Sequence, residues 1–179
     1  TMQNLCSGNT ISITASTTAT GTLTYNWTGP NGFVSSTSTT ASSNTINITG
    51  AAFANSGVYT VRVTSSTGTS SPATDTVYVW PYPVFSSGNP STNSPICTPS
   101  PLMLSGSADP ANATWSWTGP LTYTSAAVNP VLTPTSASMS GTYTVTVSNH
   151  GCNTSANTTA TVYQTPSIAS VSGNNPTSC

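Results

Sequence analysis

The chain has 179 residues, of which one is basic, two are acidic and one is histidine. Charged residues make up 2% of the chain, against roughly 25% in an ordinary soluble domain, and 37 Thr and 31 Ser dominate instead. Because nucleic-acid binding needs several cations to displace phosphate counterions, the single Arg62 excludes it.

The same scarcity of charge argues against catalysis. A glycosidase usually needs two neighbouring carboxylates, and the two here, Asp75 and Asp109, are far apart in the sequence. A Ser-His-Asp triad would have to use His150, and no G-x-S-x-G elbow accompanies it. Neither a metal-ligand cluster nor an apolar run of about 18 residues occurs. We therefore expect no enzymatic activity, no cofactor, no metal and no membrane insertion.

Apolar and polar residues alternate along the first half of the chain, beginning with Ile11 and Ile13. The alternation continues in Tyr25 and Trp27, and Thr occupies most of the intervening positions. A period of two is the mark of half-buried strands. Pro and Gly punctuate the joins, and no segment shows helical periodicity. The chain is therefore predicted to be all-β.

The second half of the chain repeats the first. Three segments recur at offsets of 90, 84 and 85 residues: Tyr25–Pro30 as Trp115–Pro120, Ser56–Val63 as Ser140–Val147, and Thr76–Tyr78 as Thr161–Tyr163. Two homologous domains of roughly 85 residues follow. Short strands, a central Trp and Ser-Gly-x-Tyr-x-Val indicate immunoglobulin-like (Ig-like) β-sandwiches, in which Tyr59 and Tyr143 begin the sixth strand and tie its corner.

The chain resembles the Ig-like tandem repeats of Bacteroidota cell-surface and secreted proteins. The second repeat matches their pattern throughout, with Cys97, Trp115, Trp117, Ser140-Gly141-Thr142-Tyr143, Gly151-Cys152 and Thr161-Val162-Tyr163. The first repeat has Ser66-Thr67-Gly68-Thr69 where Gly-Cys is expected. The resemblance implies an extracellular or cell-surface location and a role as spacer, adhesin or fibre subunit.

The two ends do not match the repeat boundaries. We predict a first domain over residues 1–80, a second over 81–165 and a tail over 166–179. Cys6 comes so early that the first domain has no residues for its own first strand. The tail, in contrast, repeats the Pro-led segment, Gly-Asn, Pro and Cys that precede the second domain from Pro83 to Cys97.

A missing strand at one end and a spare strand at the other suggest head-to-tail assembly of copies of this chain into a filament. The predicted donor strand comprises Pro166, Ser167, Ile168, Ala169, Ser170, Val171 and Ser172. Its apolar residues, Ile168 and Val171, are three apart, so both face inward only if a bulge intervenes. Few charges protect the sheet edges from pairing. A segment cut from a longer array, acting as an adhesin or carbohydrate-binding segment, is the alternative.

The four cysteines are predicted to form disulfides rather than a metal site, as in other extracellular chains. Cys97 with Cys152 is the simplest pairing because both lie in the second domain. Cys6 and Cys179 occupy equivalent repeat positions and would form an intersubunit disulfide if the tail enters the next subunit. The alternatives are Cys6 with Cys152, or free thiols at the chain ends.

Glycans are the other predicted partners. Asn-x-Ser/Thr sequons lie at Asn26, Asn47, Asn112, Asn153 and Asn157, and Asp75-Thr76-Val77 resembles the short site that Bacteroidota O-glycosylate, which makes Thr76 a candidate. Trp27 and Trp117 are predicted to be core residues rather than ligand platforms, and His150 a turn residue.

Overall fold

The computed structural model describes residues 2–133 and 135–170. It is all-β, as predicted. The described residues form two compact units: the first contains residues 2–84, 109–114 and 147–154, and the second contains 85–108, 115–146 without 134, and 155–170. The domain boundaries predicted at residues 80 and 165 stay a prediction.

The strands follow the predicted alternation. The first eight are β1 (Met2–Cys6), β2 (Ile11–Ser16), β3 (Leu23–Thr28), β4 (Val34–Thr39), β5 (Ser43–Ile48), β6 (Gly57–Ser65), β7 (Gly68–Thr69) and β8 (Ala73–Trp80). The others are β9 (Val84–Phe85), β10 (Ser91–Thr92), β11 (Ile96–Cys97), β12 (Leu102–Ser105), β13 (Ala108–Asp109), β14 (Thr114–Gly119), β15 (Tyr123–Ser125), β16 (Val131–Leu132), β17 (Gly141–Asn149), β18 (Cys152–Ala160) and β19 (Val162–Tyr163). Short 3₁₀ helices span Phe53–Asn55, Pro120–Thr122 and Ala137–Met139.

Two sheets form the sandwich of the first unit. One has the order β1-β8-β6-β3-β4, with β7 on β6, and the other is the pair β2-β5. Their inward residues alternate as the sequence predicted and make one apolar core; its largest fully buried members are Tyr25, Tyr59, Ile11 and Leu23. This core is what orients the two edges of each sheet.

The residues before Ser7 correct one expectation. Met2–Cys6 form β1, which pairs in parallel with Thr76–Trp80 of β8, so the first unit does have a strand ahead of β2. Five residues suffice because the partner strand is already fixed by β6 on its other side. In the other sheet, one edge of β2 pairs with no described strand.

The later strands repeat this plan with additional strands. β15-β14-β17-β18 form one sheet, β11 pairs in parallel with β19, and β10-β12-β16 form a three-stranded sheet. Because β12 and β16 correspond to β2 and β5, β10 is a strand with no counterpart in the first unit. β9, within the Pro-led segment that begins at Pro83, pairs with β13.

The recurring motifs interlock at one corner of each unit. A Cβ atom on Gly29 would lie 2.5 Å from Cδ1 of Tyr59, and one on Gly119 would lie 2.4 Å from Cδ1 of Tyr143. Trp-Thr-Gly-Pro and Ser-Gly-x-Tyr therefore recur together because the glycine of the first motif makes room for the tyrosine of the second. Gly141, at φ +147°, packs against the proline of the first motif: a Cβ atom on Gly141 would lie 2.8 Å from Cγ of Pro120.

The predicted tyrosine corner is confirmed in both units. The Tyr59 hydroxyl donates to the carbonyl of Asn55 and the Tyr143 hydroxyl to that of Met139, each at 2.9 Å. Both rings are fully buried. Burial raises the pKa of both hydroxyls above the usual value, and Tyr123 adds to the rise at Tyr143.

The central tryptophans are core residues, as predicted: Trp27 is 3% exposed and Trp117 is fully buried. They differ in one respect. Trp27 Nε1 donates to Asn44 Oδ1 at 2.8 Å, whereas Trp117 Nε1 is buried without a hydrogen-bond partner among the described residues.

The structure also corrects one repeat offset. Val79 N donates to Ser56 Oγ and Val162 N donates to Ser140 Oγ, each at 2.9 Å. Val162 therefore corresponds to Val79, at an offset of 83 rather than the 85 that the Thr-Val-Tyr match suggested. Tyr163 corresponds to Trp80, and the pairing of Cys97 with Tyr163 matches that of Cys6 with Trp80.

The glycine–tyrosine contact predicts a sharp effect on stability. Gly119→Ala should lower the free energy of unfolding by about 1–3 kcal/mol, because the tyrosine ring or the backbone must move. Thr118→Ala, which alters an exposed neighbour, should change it by less than about 0.5 kcal/mol. Urea denaturation followed by far-UV circular dichroism measures both; equal effects would contradict the packing described here.

The tyrosine corners predict a loss of stability at alkaline pH. Because burial raises the pKa in the folded state, the stabilisation is fully present below the unfolded pKa of about 10 and is lost as pH rises through the raised pKa. Urea midpoints measured from pH 8 to 11.5 should fall above about pH 10. The double variant Tyr59→Phe with Tyr143→Phe should show a shallower fall, and an unchanged slope would exclude these hydroxyls as its cause.

Candidate functional site

One edge of β2 is open in the first unit. β2 pairs with β5 from Ile11 to Ser16, and no other described strand pairs with it. The Thr17 amide donates to the Ser42 carbonyl, on the β5 side. Along a strand, the N–H and C=O groups of successive residues point to alternate sides. The N–H and C=O groups of Thr14 and Ser16 therefore face the open side, which makes this edge a candidate for strand addition.

The corresponding edge in the second unit is covered. β10 pairs with β12 so that Ser91 lies opposite Ser105 and Thr92 opposite Leu104. The pairing continues at Asn93, whose amide donates to the Met103 carbonyl at 3.3 Å and whose Oδ1 accepts from the Met103 amide at 2.9 Å. The two units thus differ in the pairing at this edge. β12 pairs with a described strand on each side, whereas β2 pairs with one on a single side.

A side chain caps one end of the open edge. Gln3 Nε2 donates to the Ser12 carbonyl at 3.3 Å and to Asp75 Oδ2 at 3.2 Å. Ser12 corresponds to Met103 of the second unit, whose carbonyl accepts from Asn93 instead. The open stretch therefore begins after Ser12 and contains Thr14 and Ser16. Sequence reasoning did not identify Gln3, because nothing in the alternating pattern marks one polar residue of β1 from another.

The predicted donor segment is exposed where the structure describes it. Pro166 to Ser170 lie in no strand and are exposed, with Ile168 at 83%. Val171 and Ser172 lie outside the described residues. The described part of the donor segment, residues 166–170, therefore belongs to no strand.

The disulfide joins Cys6 to Cys152, with 5.6 Å between their Cα atoms, and both residues belong to the first compact unit. The predicted Cys97–Cys152 pair is wrong. Cys97 lies beside Tyr163 in β19, whereas Cys152 begins β18, so the two occupy opposite ends of about ten residues of extended chain. At about 3.3 Å a residue they lie well beyond the reach of one disulfide.

The remaining cysteines follow from this pairing. Cys97 is a free, exposed thiol. The predicted intersubunit bond between Cys6 and Cys179 is also wrong, because Cys6 is already bonded; Cys179 lies outside the described residues. The Cys6–Cys152 alternative is thus the one that the structure contains.

Aromatic and amide groups surround the disulfide. The His150 ring stacks on Trp80 with centroids 3.6 Å apart and planes at 4°, and Asn149 Nδ2 donates to the Pro81 carbonyl at 3.0 Å. His150 does lie in the predicted turn, between β17 and β18, at φ +51°. Its stacking on Trp80 was not predicted, because the two residues are 70 positions apart in a sequence without a paired motif.

The glycosylation candidates are mostly accessible. Asn26, Asn47, Asn112, Asn153 and Asn157 are all exposed. Thr76 is half-buried and lies opposite Met2 in the β1–β8 pair. The five asparagines therefore remain candidates for modification, and Thr76 is the least accessible of the six.

Within the described part of the chain, no group of three or more His, Cys, Asp and Glu residues could hold a metal ion. No helix there is long and apolar enough to cross a membrane.

Comparison with known proteins identifies the fold. No protein-family model matches the sequence, and no curated protein is similar to it. Among solved structures, the I-band fragment I67–I69 of titin superposes with a TM-score of 0.62 at 15% identity over 91% of this chain and 63% of that one. Drosophila OTK extracellular domains 3–5 superpose with a TM-score of 0.60 at 18% identity, covering 92% of this chain and 60% of that one.

A third structure, Dpr11 IG1 bound to DIP-gamma IG+IG2, gives a TM-score of 0.50 at 12% identity, covering 90% of this chain and 95% of that one. The chain thus spans about 60% of the titin and OTK structures and nearly all of the third. At these identities the likeness defines the fold alone: the chain has an Ig-like β-sandwich fold.

The disulfide predicts a selective loss of stability. Replacing Cys6 and Cys152 by Ser should lower the free energy of unfolding by about 2–4 kcal/mol, because the bond closes a long loop in the unfolded chain. Cys97→Ser, at an exposed free thiol, should leave it unchanged. Urea midpoints compare the three proteins, and peptide mapping without reductant should find Cys97 alkylated and Cys6 and Cys152 protected; alkylated Cys6 would contradict the pairing.

Proposed function

We propose that this chain is a structural subunit of an extracellular filament, assembled head to tail by β-strand donation. In this model the segment Pro166–Ser172 of one subunit completes the first unit of the next, so the partner is a second copy of the chain. The polymer is of the Bacteroidota surface type that the repeats resemble, and its exposed sequons carry glycans.

The observation that carries the proposal is the open edge of β2. In the same molecule the equivalent edge is covered by β10 along β12 and by Ser86 at Ser107, which supports strand addition at β2. Unpaired backbone groups at an exposed edge template pairing with another chain, and residues 166–170 around Ile168 are exposed and lie in no strand. Addition of a strand supplies hydrogen bonds to both.

Two further observations support an extracellular location. The Cys6–Cys152 disulfide requires an oxidising compartment to form and persist, and the OTK structure, to which the fold is similar, consists of extracellular domains. A surface with almost no charge also lacks the lysines that other β proteins use to block edge pairing.

The alternative is an adhesin or carbohydrate-binding segment of a long repeat protein. Binding to other Ig-like domains has one parallel in the Dpr11–DIP-gamma complex. Sugar recognition would need an open aromatic face, and the tryptophans are poorly placed for it. Trp27, Trp115 and Trp117 are at most 9% exposed, and Trp80 is stacked on His150. The open edge therefore favours strand donation.

Negative-stain electron microscopy tests the proposal. The full chain should form fibres with a regular axial repeat, and a variant ending at Thr165 should remain as isolated particles, because it lacks the donor. Both proteins should give the same far-UV circular dichroism, since the deleted residues up to Ser170 lie in no strand. Isolated particles of the full chain at high concentration would refute the filament.

A further inference from the structure

We propose that the donor strand binds in a specific cleft of the first unit, with Ile168 as the side chain that enters it. The inference rests on the proposed function and specifies its acceptor. The acceptor cleft lies between β2 and the opposite sheet, and the residues that line it include Thr14, Ala15, Ser16, Val61, Val63 and Ala73. Its occupant is the segment Pro166–Ser170 of a second copy.

The floor of the acceptor cleft is apolar and its rim is hydroxylic. Val61 is 5% exposed and belongs to the core, while Ala15 and Val63 are half-buried and pack against that core. The cleft has a volume of about 350 Å³, and a smaller depression beside it reaches Ile13 and Trp27. A half-buried apolar floor next to an open strand edge suits an extended peptide with one aliphatic side chain.

Within the described residues, the acceptor cleft lies beside the part of β8 that β1 does not cover. β1 pairs with Thr76–Trp80, so Ala73 and Thr74 lie beyond its end. On the opposite sheet, Gln3 reaches Ser12 but no farther. Among the described residues, Gln3 therefore bridges the gap between the two sheets at Ser12, and nothing bridges it at Thr14 and Ser16.

The second unit contains the same place in its occupied form. There the Ser86 amide donates to the Ser107 carbonyl at 2.9 Å, and the two hydroxyls are 3.0 Å apart. Phe85, the preceding residue, places its ring edge-on to Trp115 with centroids 6.2 Å apart. One apolar side chain followed by one backbone hydrogen bond is therefore how this fold fills the position.

The repeat equivalences transfer that arrangement to the tail. The offset of 83 that relates Trp80 to Tyr163 relates Phe85 to Ile168 and Ser86 to Ala169. The offset of 91 that relates Cys6 to Cys97 relates Ser16 to Ser107. Ala169 of the donor should therefore lie opposite Ser16 of the acceptor, with its amide donating to the Ser16 carbonyl.

The same repeat equivalences indicate where the Ile168 side chain should bind. Trp115 corresponds to Tyr25 of the first unit, and Tyr25 lies opposite Val63 in the pairing of β3 with β6. Ile168, in the place of Phe85, should then pack on Val63 and Ala15 at the floor. In the isolated chain Ile168 is 83% exposed, so its burial in a second copy removes apolar surface from water at both partners.

Disulfide trapping tests this register. In a background with Cys97→Ser and Cys179→Ser, the pair Ser16→Cys and Ala169→Cys should yield a ladder of covalent oligomers under oxidised glutathione, seen by non-reducing electrophoresis. The matched control keeps Ala169→Cys and moves the other thiol to Ser36→Cys on β4, at the opposite edge of the larger sheet. The control should stay monomeric.

Electron microscopy of the same samples separates the inference from the proposed function. Fibres without cross-linking at Ser16→Cys, or with equal cross-linking in the control, would overturn the acceptor cleft and leave the filament intact. A cross-link confined to monomers would also overturn it, because the donor would then be the chain's own tail.

Peptide binding tests the acceptor cleft even if no fibres form. A fluorescent peptide of residues 164–176 should bind the full chain with saturable anisotropy. The Ile168→Asp peptide should bind at least tenfold more weakly, whereas the Ser167→Asp peptide, with the same charge on the neighbouring residue, should bind as the unmodified one does. Binding without fibres would sustain the acceptor cleft and refute the filament; no binding, or equal losses for both peptides, would overturn the acceptor cleft.

Discussion

The packing of a tyrosine ring against a glycine holds each sandwich together at one corner. Gly29 and Gly119 let the rings of Tyr59 and Tyr143 lie where any β-carbon would collide, and each hydroxyl then fixes the turn that precedes its strand. The strand that contains this tyrosine is central to its sheet and pairs on both sides. The corner therefore fixes the strand to which the neighbouring strands of that sheet pair.

The surface uses hydroxyl pairs where other proteins use ion pairs. Thr14 with Thr45, Thr24 with Ser38 and Thr146 with Ser155 are cross-strand contacts of 2.7–2.8 Å. Such pairs carry no charge, so salt does not screen them. The edge strands consequently lack the electrostatic repulsion that keeps most β proteins apart. A chain built in this way favours assembly wherever an edge is left open, which agrees with the role proposed for β2.

The fold could be predicted from the sequence because its signals are local and repeated. Alternation at Ile11 and Ile13 and the two Ser-Gly-x-Tyr motifs give strands, corner and core directly. The cysteine pairing could not be predicted, because it depends on which strand end lies beside Trp80, and several pairings satisfy the spacing equally. The hydrogen bond of Gln3 and the stacking of His150 were not predicted for a related reason: each contact is made with a residue distant in the sequence. An open edge was predicted on the premise that the first strand is missing; that premise is wrong, since β1 is present, and the structure instead leaves an edge of β2 without a described partner strand.

The Cys6–Cys152 bond determines how the chain would carry a mechanical load. A pull applied between residues 2 and 170 passes from Cys6 directly to Cys152 through the two sulfur atoms. The 146-residue separation between them is then bypassed by the force. Unravelled, that stretch would add about 500 Å at about 3.4 Å per residue; with the bond intact it adds nothing. Most of both sandwiches is thereby shielded from tension, and reduction of this single bond would convert a short tether into one that lengthens many-fold under load.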